Sequence, residues 1–96
     1  MRNRVEVLFD SGSGRNLTGL GTLIRIFGSA AAVDLRLRQP NDLPSIRAVN
    51  GTLQRALGHT AVQLDMCEAR PYAPDFIVMP HFPVDFLLGG LFCRNN

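Results

Sequence analysis

The chain has 96 residues, 46% of them hydrophobic and 19% charged, which is the composition of one small globular domain rather than of a disordered segment. Its ten basic residues are all arginine and are scattered along the chain, and the net charge is only +2, so the sequence offers no basic run for nucleic-acid binding. No apolar run approaches the roughly 18 residues that span a bilayer, and the first residues do not resemble a signal peptide.

The first predicted element is an apolar strand, Val5–Phe9, that ends at Asp10 and is followed by Ser11, Gly12 and Ser13. A carboxylate at the end of a buried strand must be paired, hydrogen-bonded or protonated, because a desolvated charge is unfavourable. Gly12 lets the backbone turn sharply behind it. The stretch is either an ordinary acidic turn or a candidate active-site loop, and residues further along the chain decide between the two.

The next two apolar segments are short. Leu23–Phe27 is bounded by glycines and is compatible with a short strand or with a helical turn, because five residues do not distinguish the two periods. Val33–Arg38 alternates between apolar and charged residues. This alternation predicts a half-buried strand with Val33, Leu35 and Leu37 on its inner face.

The clearest predicted hairpin joins Ser45–Val49 to Thr52–Leu57 through the pair Asn50-Gly51. Asn-Gly is the preferred pair for a two-residue type I′ turn, because both turn positions need a positive φ. The sequence therefore predicts two antiparallel strands with this pair at their tip.

The last third of the chain predicts further strands. Thr60–Met66 alternates, and Phe76–Met79 is a continuous apolar run typical of a buried strand. Val84–Leu88 leads into a pair of glycines, after which Leu91–Arg94 can begin a helix. Strands at a spacing of roughly 8–12 residues favour an all-β barrel or sandwich.

Three of these features occur in the order found in retropepsins, and the chain resembles that family, most closely the protease domain of gypsy-type LTR retrotransposon polyproteins. They are the strand closed by Asp10-Ser11-Gly12-Ser13, the hairpin Ile46–Thr52, and Phe76-Ile77-Val78 followed by Phe86-Leu87-Leu88-Gly89. The resemblance covers most of the chain, from about Val5 to Phe92. It implies an all-β, retropepsin-like closed β-barrel half, the acid protease fold, with a flap hairpin and a short C-terminal helix.

The resemblance also implies an activity. The chain would be an aspartic endopeptidase of a retroelement polyprotein, acting as a homodimer on extended, largely apolar peptide segments that include its own polyprotein. Asp10 from each of two chains would form the catalytic pair, because two adjacent carboxylates share a proton and activate a water. The implied mechanism needs no metal or other cofactor, and we expect neither a membrane nor nucleic acid as a partner of this domain.

The other site residues take their roles from the same resemblance. Ser11, Gly12 and Ser13 would support the active-site loop, with Ser11 hydrogen-bonded across the dimer axis. The residues of the flap and its substrate contacts would be Ala48, Val49, Asn50, Gly51 and Thr52. Leu87, Leu88 and Gly89 would pack beneath the active-site loop.

Both ends of the chain depart from the family pattern. Only nine residues precede Asp10 and few follow the predicted helix start, so we expect the single domain of residues 1–96 to be truncated at one or both ends. Gly90 is also an unfavourable residue for opening a helix. The location implied by the resemblance is cytoplasmic, with inclusion in retroelement particles as one option.

Several residues and functions are set against this hypothesis. Cys67 and Cys93 lack metal-ligand spacing, and two free thiols are favoured over a disulfide. His59 and His81 are separated and carry no site pattern, whereas Asp85 interrupts an apolar run and either faces solvent or pairs with an arginine. The rival functions are a catalytically silent retropepsin-fold domain and a dimerisation module similar to that of ubiquitin-shuttle proteins. A nucleic-acid-binding β-barrel is disfavoured by the near-neutral charge.

Overall fold

The computed structural model describes residues 5–10, 14–47, 51–64 and 73–89. Strands and two short helices make up this part of the chain. In chain order they are β1 (Val7–Phe9), β2 (Leu17–Gly19), α1 (Leu20–Phe27), α2 (Ala30–Arg36), β3 (Ser45–Arg47), β4 (Leu53–Arg55), β5 (Gly58–Ala61), β6 (Asp75–Met79) and β7 (Phe86–Leu88).

The main sheet has five strands in the order β1-β7-β2-β6-β5. β7 runs parallel to β1 and antiparallel to β2, while β2 runs parallel to β6 and β6 antiparallel to β5. The last strand therefore inserts between the first two. This order brings the end of β1, where Asp10 lies, next to the end of β7.

The core lies where the middle strands meet the two helices. Phe76 on β6 and Phe86 on β7 are fully buried, and their rings lie 4.9 Å apart at a tilt of 52°. The helices add Leu23 and Val33, and the remaining members of the cluster are Val62, Leu64, Val78 and Leu88. Burial of these side chains supplies the main stabilisation of the fold, because apolar area removed from water contributes about 25 cal/mol per Å².

Three predicted strands are confirmed. β6 and β7 are buried, as expected for continuous apolar runs. The predicted alternation after Gly58 is present in the burial of the side chains: Thr60, Val62 and Leu64 are buried while Ala61 and Gln63 are exposed. The hydrogen-bonded strand β5 nevertheless ends at Ala61, and its alternation continues beyond the ladder.

The predicted strand at Val33–Arg38 is wrong. Helix α2 begins with three alanines and ends at Arg36, so the first four of these six residues are helical. The Ser29 hydroxyl accepts a hydrogen bond from the Ala32 N–H and caps the helix. Val33 is buried and Leu37 half-buried on the helix side that faces the core, one turn apart, whereas Leu35 is 89% exposed. The spacing of Val33 and Leu37 fits both periods, and the alanines before them favour the helix.

Leu23–Phe27 also lies in a helix, α1, so the helical alternative is the one observed. Gly28 ends it with a φ of 99° and donates its N–H to the Ile24 carbonyl oxygen, a left-handed helix end that glycine adopts without strain.

The structure is sheet-rich, but the prediction of an all-β closed barrel is not met. The described strands form an open five-stranded sheet with β1 and β5 at its edges, plus the separate β3–β4 pair. Two helices add to them because the region 20–36 is helical instead of extended. The predicted start of a C-terminal helix at Leu91–Arg94 lies outside the described residues.

The prediction that the first strand is buried is also wrong. β1 is an edge strand with a paired neighbour only on its β7 side among the described strands, and Leu8 and Phe9 are 50% and 49% exposed. Asp10 is exposed as well. Burial against the core therefore accounts for Val5 and Val7, which are partly buried, but not for Leu8 and Phe9.

The predicted hairpin is confirmed, with a different register. β3 and β4 are antiparallel, and Arg47 lies opposite Leu53, whereas an unbroken two-residue turn at Asn50-Gly51 would place it opposite Gln54. Gly51 has a φ of 87°, and its carbonyl oxygen accepts a hydrogen bond from Arg47 Nη1 at 2.9 Å. The register leaves five residues, 48–52, between the paired residues Arg47 and Leu53. The positive φ of Gly51 agrees with this longer loop, because such hairpin loops also use a residue in the left-handed conformation.

Candidate functional site

An open groove of about 1170 Å³ lies beside Asp10. β1 contributes Leu8 and Asp10 to its lining, and the β3–β4 hairpin contributes Ile46, Arg47 and Gln54. The exposed carboxylate at the end of the first strand and the hairpin thus line the same space. Grooves of this size accept peptides and drug-sized ligands.

The other walls of the groove are the start of α1 and the segment between β6 and β7. This segment includes Phe82 and Val84, and Met79 of β6 and Leu87 of β7 lie on either side of it in the sequence. The Gln54 side-chain oxygen accepts a hydrogen bond from the backbone N–H of His81 at 3.2 Å, which links the hairpin to this wall. Most of the lining is apolar. Its acidic and arginine residues are Asp10, Arg25, Arg47 and Asp85, and His81 also lines the groove.

The backbone of Asp10 is held by β7. The Asp10 N–H donates to the Leu88 carbonyl oxygen at 2.9 Å, and at the other end of the strand pair the Phe86 N–H donates to the Glu6 carbonyl oxygen at 3.0 Å. Leu87 lies opposite Leu8 in the register between these two bonds. β7 therefore sets where the carboxylate of Asp10 stands relative to the groove.

Asp85 is the most densely bound side chain of the groove. Its carboxylate accepts hydrogen bonds from the Glu6 N–H at 2.8 Å and from the Thr22 hydroxyl at 2.9 Å, and Arg25 Nη2 lies 2.9 Å from Oδ1. The Thr18 hydroxyl donates to the Asp85 carbonyl oxygen at 2.7 Å. Of the two alternatives that the sequence left open for Asp85, pairing with an arginine is the one observed.

These contacts set the ionisation of Asp85. Burial acts to raise the pKa of its carboxyl, but the hydrogen bonds from Glu6, Arg25 and Thr22 and the charge of Arg25 outweigh burial, so the pKa is lowered from its ordinary value of 3.8. The side chain is only 18% exposed. The Asp85 carboxylate is therefore ionised and held by three neighbouring residues of the fold, whereas Asp10 is exposed.

Asn16 ties the end of β7 to the neighbouring strands. Its side-chain oxygen accepts a hydrogen bond from the Gly89 N–H at 2.8 Å, and its Nδ2 donates to the Asp75 carbonyl oxygen at 3.3 Å. Leu87, Leu88 and Gly89 were expected to pack beneath the active-site loop. Leu88 is fully buried and its carbonyl oxygen accepts the Asp10 N–H, and Leu87 lines the groove. Gly89 is held by Asn16, and the supporting role of all three stays a prediction.

The other predicted site residues divide into two groups. Ser11, Gly12 and Ser13 of the loop, and Ala48, Val49 and Asn50 of the flap, lie outside the described residues. Gly51 and Thr52 are described and exposed next to the hairpin tip. The described groove therefore brings together Asp10, the stem of the hairpin and Leu87.

Sequence reasoning missed Thr18, Thr22, Arg25 and Asn16. The helical alternative covered Leu23–Phe27 and so included Arg25 but not Thr22, which lies three residues before Arg25 on the same face of α1. Thr18 and Asn16 had no local signal, since their partners Asp85, Asp75 and Gly89 lie far away in the chain.

A second polar cluster lies at the opposite side of the sheet. Asp75 at the start of β6 contacts Arg38, and its Oδ2 lies 2.9 Å from His59 Nδ1. The two atoms are close enough for an ion pair, but their geometry is not that of a hydrogen bond. His59 Nδ1 is therefore buried without a hydrogen-bond partner. The cluster does not line the described groove.

Comparisons with known proteins add no name to this site: no family model matches the chain, and no curated protein matches it. In the part of the chain that the structure describes, neither helix is long and apolar enough to cross a bilayer. Within the same residues, no three His, Cys, Asp or Glu side chains are grouped as a metal site would need.

Proposed function

We propose that the chain is the retropepsin-like protease domain of a retroelement polyprotein, an aspartic endopeptidase that acts as a homodimer. One observation carries the proposal: Asp10, the acid of the Asp-Ser-Gly-Ser motif, lines a groove that is also lined by the hairpin carrying the Asn50-Gly51 flap motif. These two motifs are far apart in the sequence, and a peptide bond held in the groove would be within reach of both.

The lining of the groove supports a requirement for a second chain. Asp10 and Asp85 are its only carboxylates among the described residues, and Asp85 is occupied by Glu6, Thr22 and Arg25. In the proposed homodimer, Asp10 from another copy completes a pair of acids that shares one proton. In such a pair the ionised Asp10 takes a proton from a water, and the protonated Asp10 polarises the scissile carbonyl.

The shape of the groove supports an extended peptide as the substrate. It is open along one side and largely apolar, with Leu8, Ile46 and Leu87 among its lining residues. The hairpin would cover the peptide as a flap, with Ala48–Thr52 nearest the peptide backbone. Ser11, Gly12 and Ser13 would hold the loop that carries Asp10.

A second candidate is a catalytically silent domain of the same fold that serves as a protein dimerisation module. The half-exposed Leu8 and Phe9 on the edge strand β1 favour contact with another protein whether or not catalysis follows. The two candidates differ in what the second chain would bring to the groove.

Cleavage of a peptide library between about pH 4 and 7, with and without pepstatin, tests the proposal. Asp10→Asn is expected to lower the cleavage rate by roughly 10³-fold or more, because both members of the pair lose their carboxyl groups. Asp34→Asn is the matched control, since Asp34 is exposed on α2 and does not line the described groove. Sedimentation of the same samples gives the oligomeric state. A folded dimer without pepstatin-sensitive cleavage would contradict the protease and leave the dimerisation module.

A further inference from the structure

The position of Asp10 depends on an edge strand that burial specifies only weakly. β1 has three residues, one described neighbour, and two outer side chains that are half exposed. Val5 and Val7 are partly buried against the core and give the strand some registration. When one face of a strand is not buried, its pairing register is weakly specified by the hydrophobic pattern.

Polar contacts from Asp85 supply what burial lacks. The Asp85 carboxylate accepts the Glu6 N–H, and the next residue along β7, Phe86, donates its N–H to the Glu6 carbonyl oxygen. Both polar backbone groups of Glu6 are thus bound by consecutive residues at the start of β7. A slip of β1 along β7 would break the hydrogen bond from the Glu6 N–H to the Asp85 carboxylate and the one from the Phe86 N–H to the Glu6 carbonyl oxygen, while Thr22 and Arg25 would still hold Asp85 in place.

Asp85 is itself immobilised from two directions. Thr22 and Arg25, on one face of α1, bind its carboxylate, and the Thr18 hydroxyl of β2 binds its carbonyl oxygen. Helix α1, strand β2 and the residue that precedes β1 are therefore all bound to Asp85, through its side chain or its backbone. The two ends of the β1–β7 pair are then bounded by the Asp85–Glu6 bond and by the Asp10–Leu88 bond.

We propose that Asp85 is a positioning residue for Asp10: by binding Glu6 to α1, it sets the register of β1 on β7 and thereby the place of the Asp10 carboxylate in the groove. Asp85 does not touch the peptide in this role. The catalytic consequence rests on the proposed protease function, whereas the register itself does not.

Hydrogen exchange of the Asp10 amide tests the register directly, without any need for activity. In Asp85→Asn the Glu6 N–H loses a charged acceptor, and exchange of the Asp10 amide is expected to rise about tenfold relative to the wild type. The Ile77 amide, which donates to the Asn16 carbonyl oxygen between β2 and β6, serves as an internal reference that stays unchanged. Asp75→Asn is the matched control, because Asp75 also pairs with an arginine at the start of a strand but does not contact β1.

Unchanged exchange at Asp10 in folded Asp85→Asn would overturn the proposal. If that variant does not fold, the double variant Thr22→Val/Arg25→Met decides instead, because it keeps the Asp85 carboxylate and removes both of its side-chain donors on α1. A rise at the Asp10 amide is expected there too, and its absence in the folded double variant would overturn the proposal in the same way.

Kinetics then separate positioning from general stability. In Asp85→Asn, kcat is expected to fall by about tenfold or more while KM stays within about twofold, because a displaced carboxylate affects the reaction more than peptide binding. Asp75→Asn is expected to leave both constants unchanged. A rise in KM alone would overturn the proposal. If the wild type cleaves no peptide, the protease function fails, and the exchange of the Asp10 amide still decides the register.

Discussion

Gly58 lies where two backbone segments approach each other closely. His59, the residue after it, exchanges two backbone hydrogen bonds with Arg38, both at 2.9 Å. A Cβ atom at Gly58 would lie 2.5 Å from the Arg38 carbonyl oxygen and 2.8 Å from Leu37 Cγ. The bridge between Arg38 and β5 therefore needs a residue without a side chain at this point.

We predict that Gly58→Ala destabilises the fold by roughly 2–3 kcal/mol, because the Cβ must displace backbone as well as the Leu37 side chain. Gly21→Ala is the matched control, since a Cβ at Gly21 meets nothing within 4 Å and the residue lies in helix α1. That variant is expected to be about 0.5 kcal/mol more stable than the wild type. Urea unfolding measures both, and equal stabilities of the two variants would contradict the close approach.

Residue identities predicted which residues share the groove better than they predicted how deeply those residues are buried. Asp10 and the hairpin were expected in one site, and the described groove is lined by both. The burial expected for Asp10 was wrong, because an apolar strand of three residues looks the same in sequence whether it lies inside a sheet or at its edge. The sequence left two alternatives for Asp85, exposure to solvent or pairing with an arginine. Its partners on α1 were not predicted, because the sequence did not decide between a helix and a strand in that region.

At the scale of elements, period and length decide which predictions succeed. The alternation Thr60–Leu64 is a true strand pattern, with its even-numbered residues buried. The alternation Val33–Arg38 has the same appearance, but residues 33–36 are helical and Arg38 forms a bridge to His59. Residues spaced by four lie on one helical face as well as on one face of a strand. Six residues do not separate these cases, and the deciding signal, the serine and alanines just before, lies outside the alternating run.

The cap of α2 gives this interpretation a test. Ser29→Ala removes the acceptor for the Ala32 N–H and is expected to lower the free energy of unfolding by about 1 kcal/mol. Ser45→Ala is the control, because Ser45 is exposed in β3, where no cap exists. Chemical denaturation with detection by circular dichroism measures both. A loss in Ser45→Ala equal to that in Ser29→Ala would contradict a specific capping role.

At the scale of the whole molecule, the sheet order joins parts of the chain that no local pattern links. β7 pairs with β1 across almost the entire sequence and with β2 on its other side. The sequence predicted β1 and β7, but pairing partners depend on packing between distant segments, so the open sheet and its two helices were not predictable from periodicity. Among the described strands β1 lies at an edge of the sheet, and Asp10 and Asp85 are the two acids among the described residues that line the groove.

A mixing experiment tests whether two chains form one site. When wild-type protein is unfolded and refolded with a ninefold excess of Asp10→Asn, chains pair at random and only about one tenth of the wild-type activity is expected to remain, because each mixed dimer has one ionisable Asp10. Asp34→Asn in the same excess brings a complete pair to every dimer, so activity is expected to rise with the total amount of protein. Undiminished wild-type activity beside the Asp10→Asn chains would mean that each chain acts alone. In that case a second acid would have to come from the same chain, and among the described residues that line the groove the other acid is Asp85, which Thr22, Arg25 and Glu6 already bind.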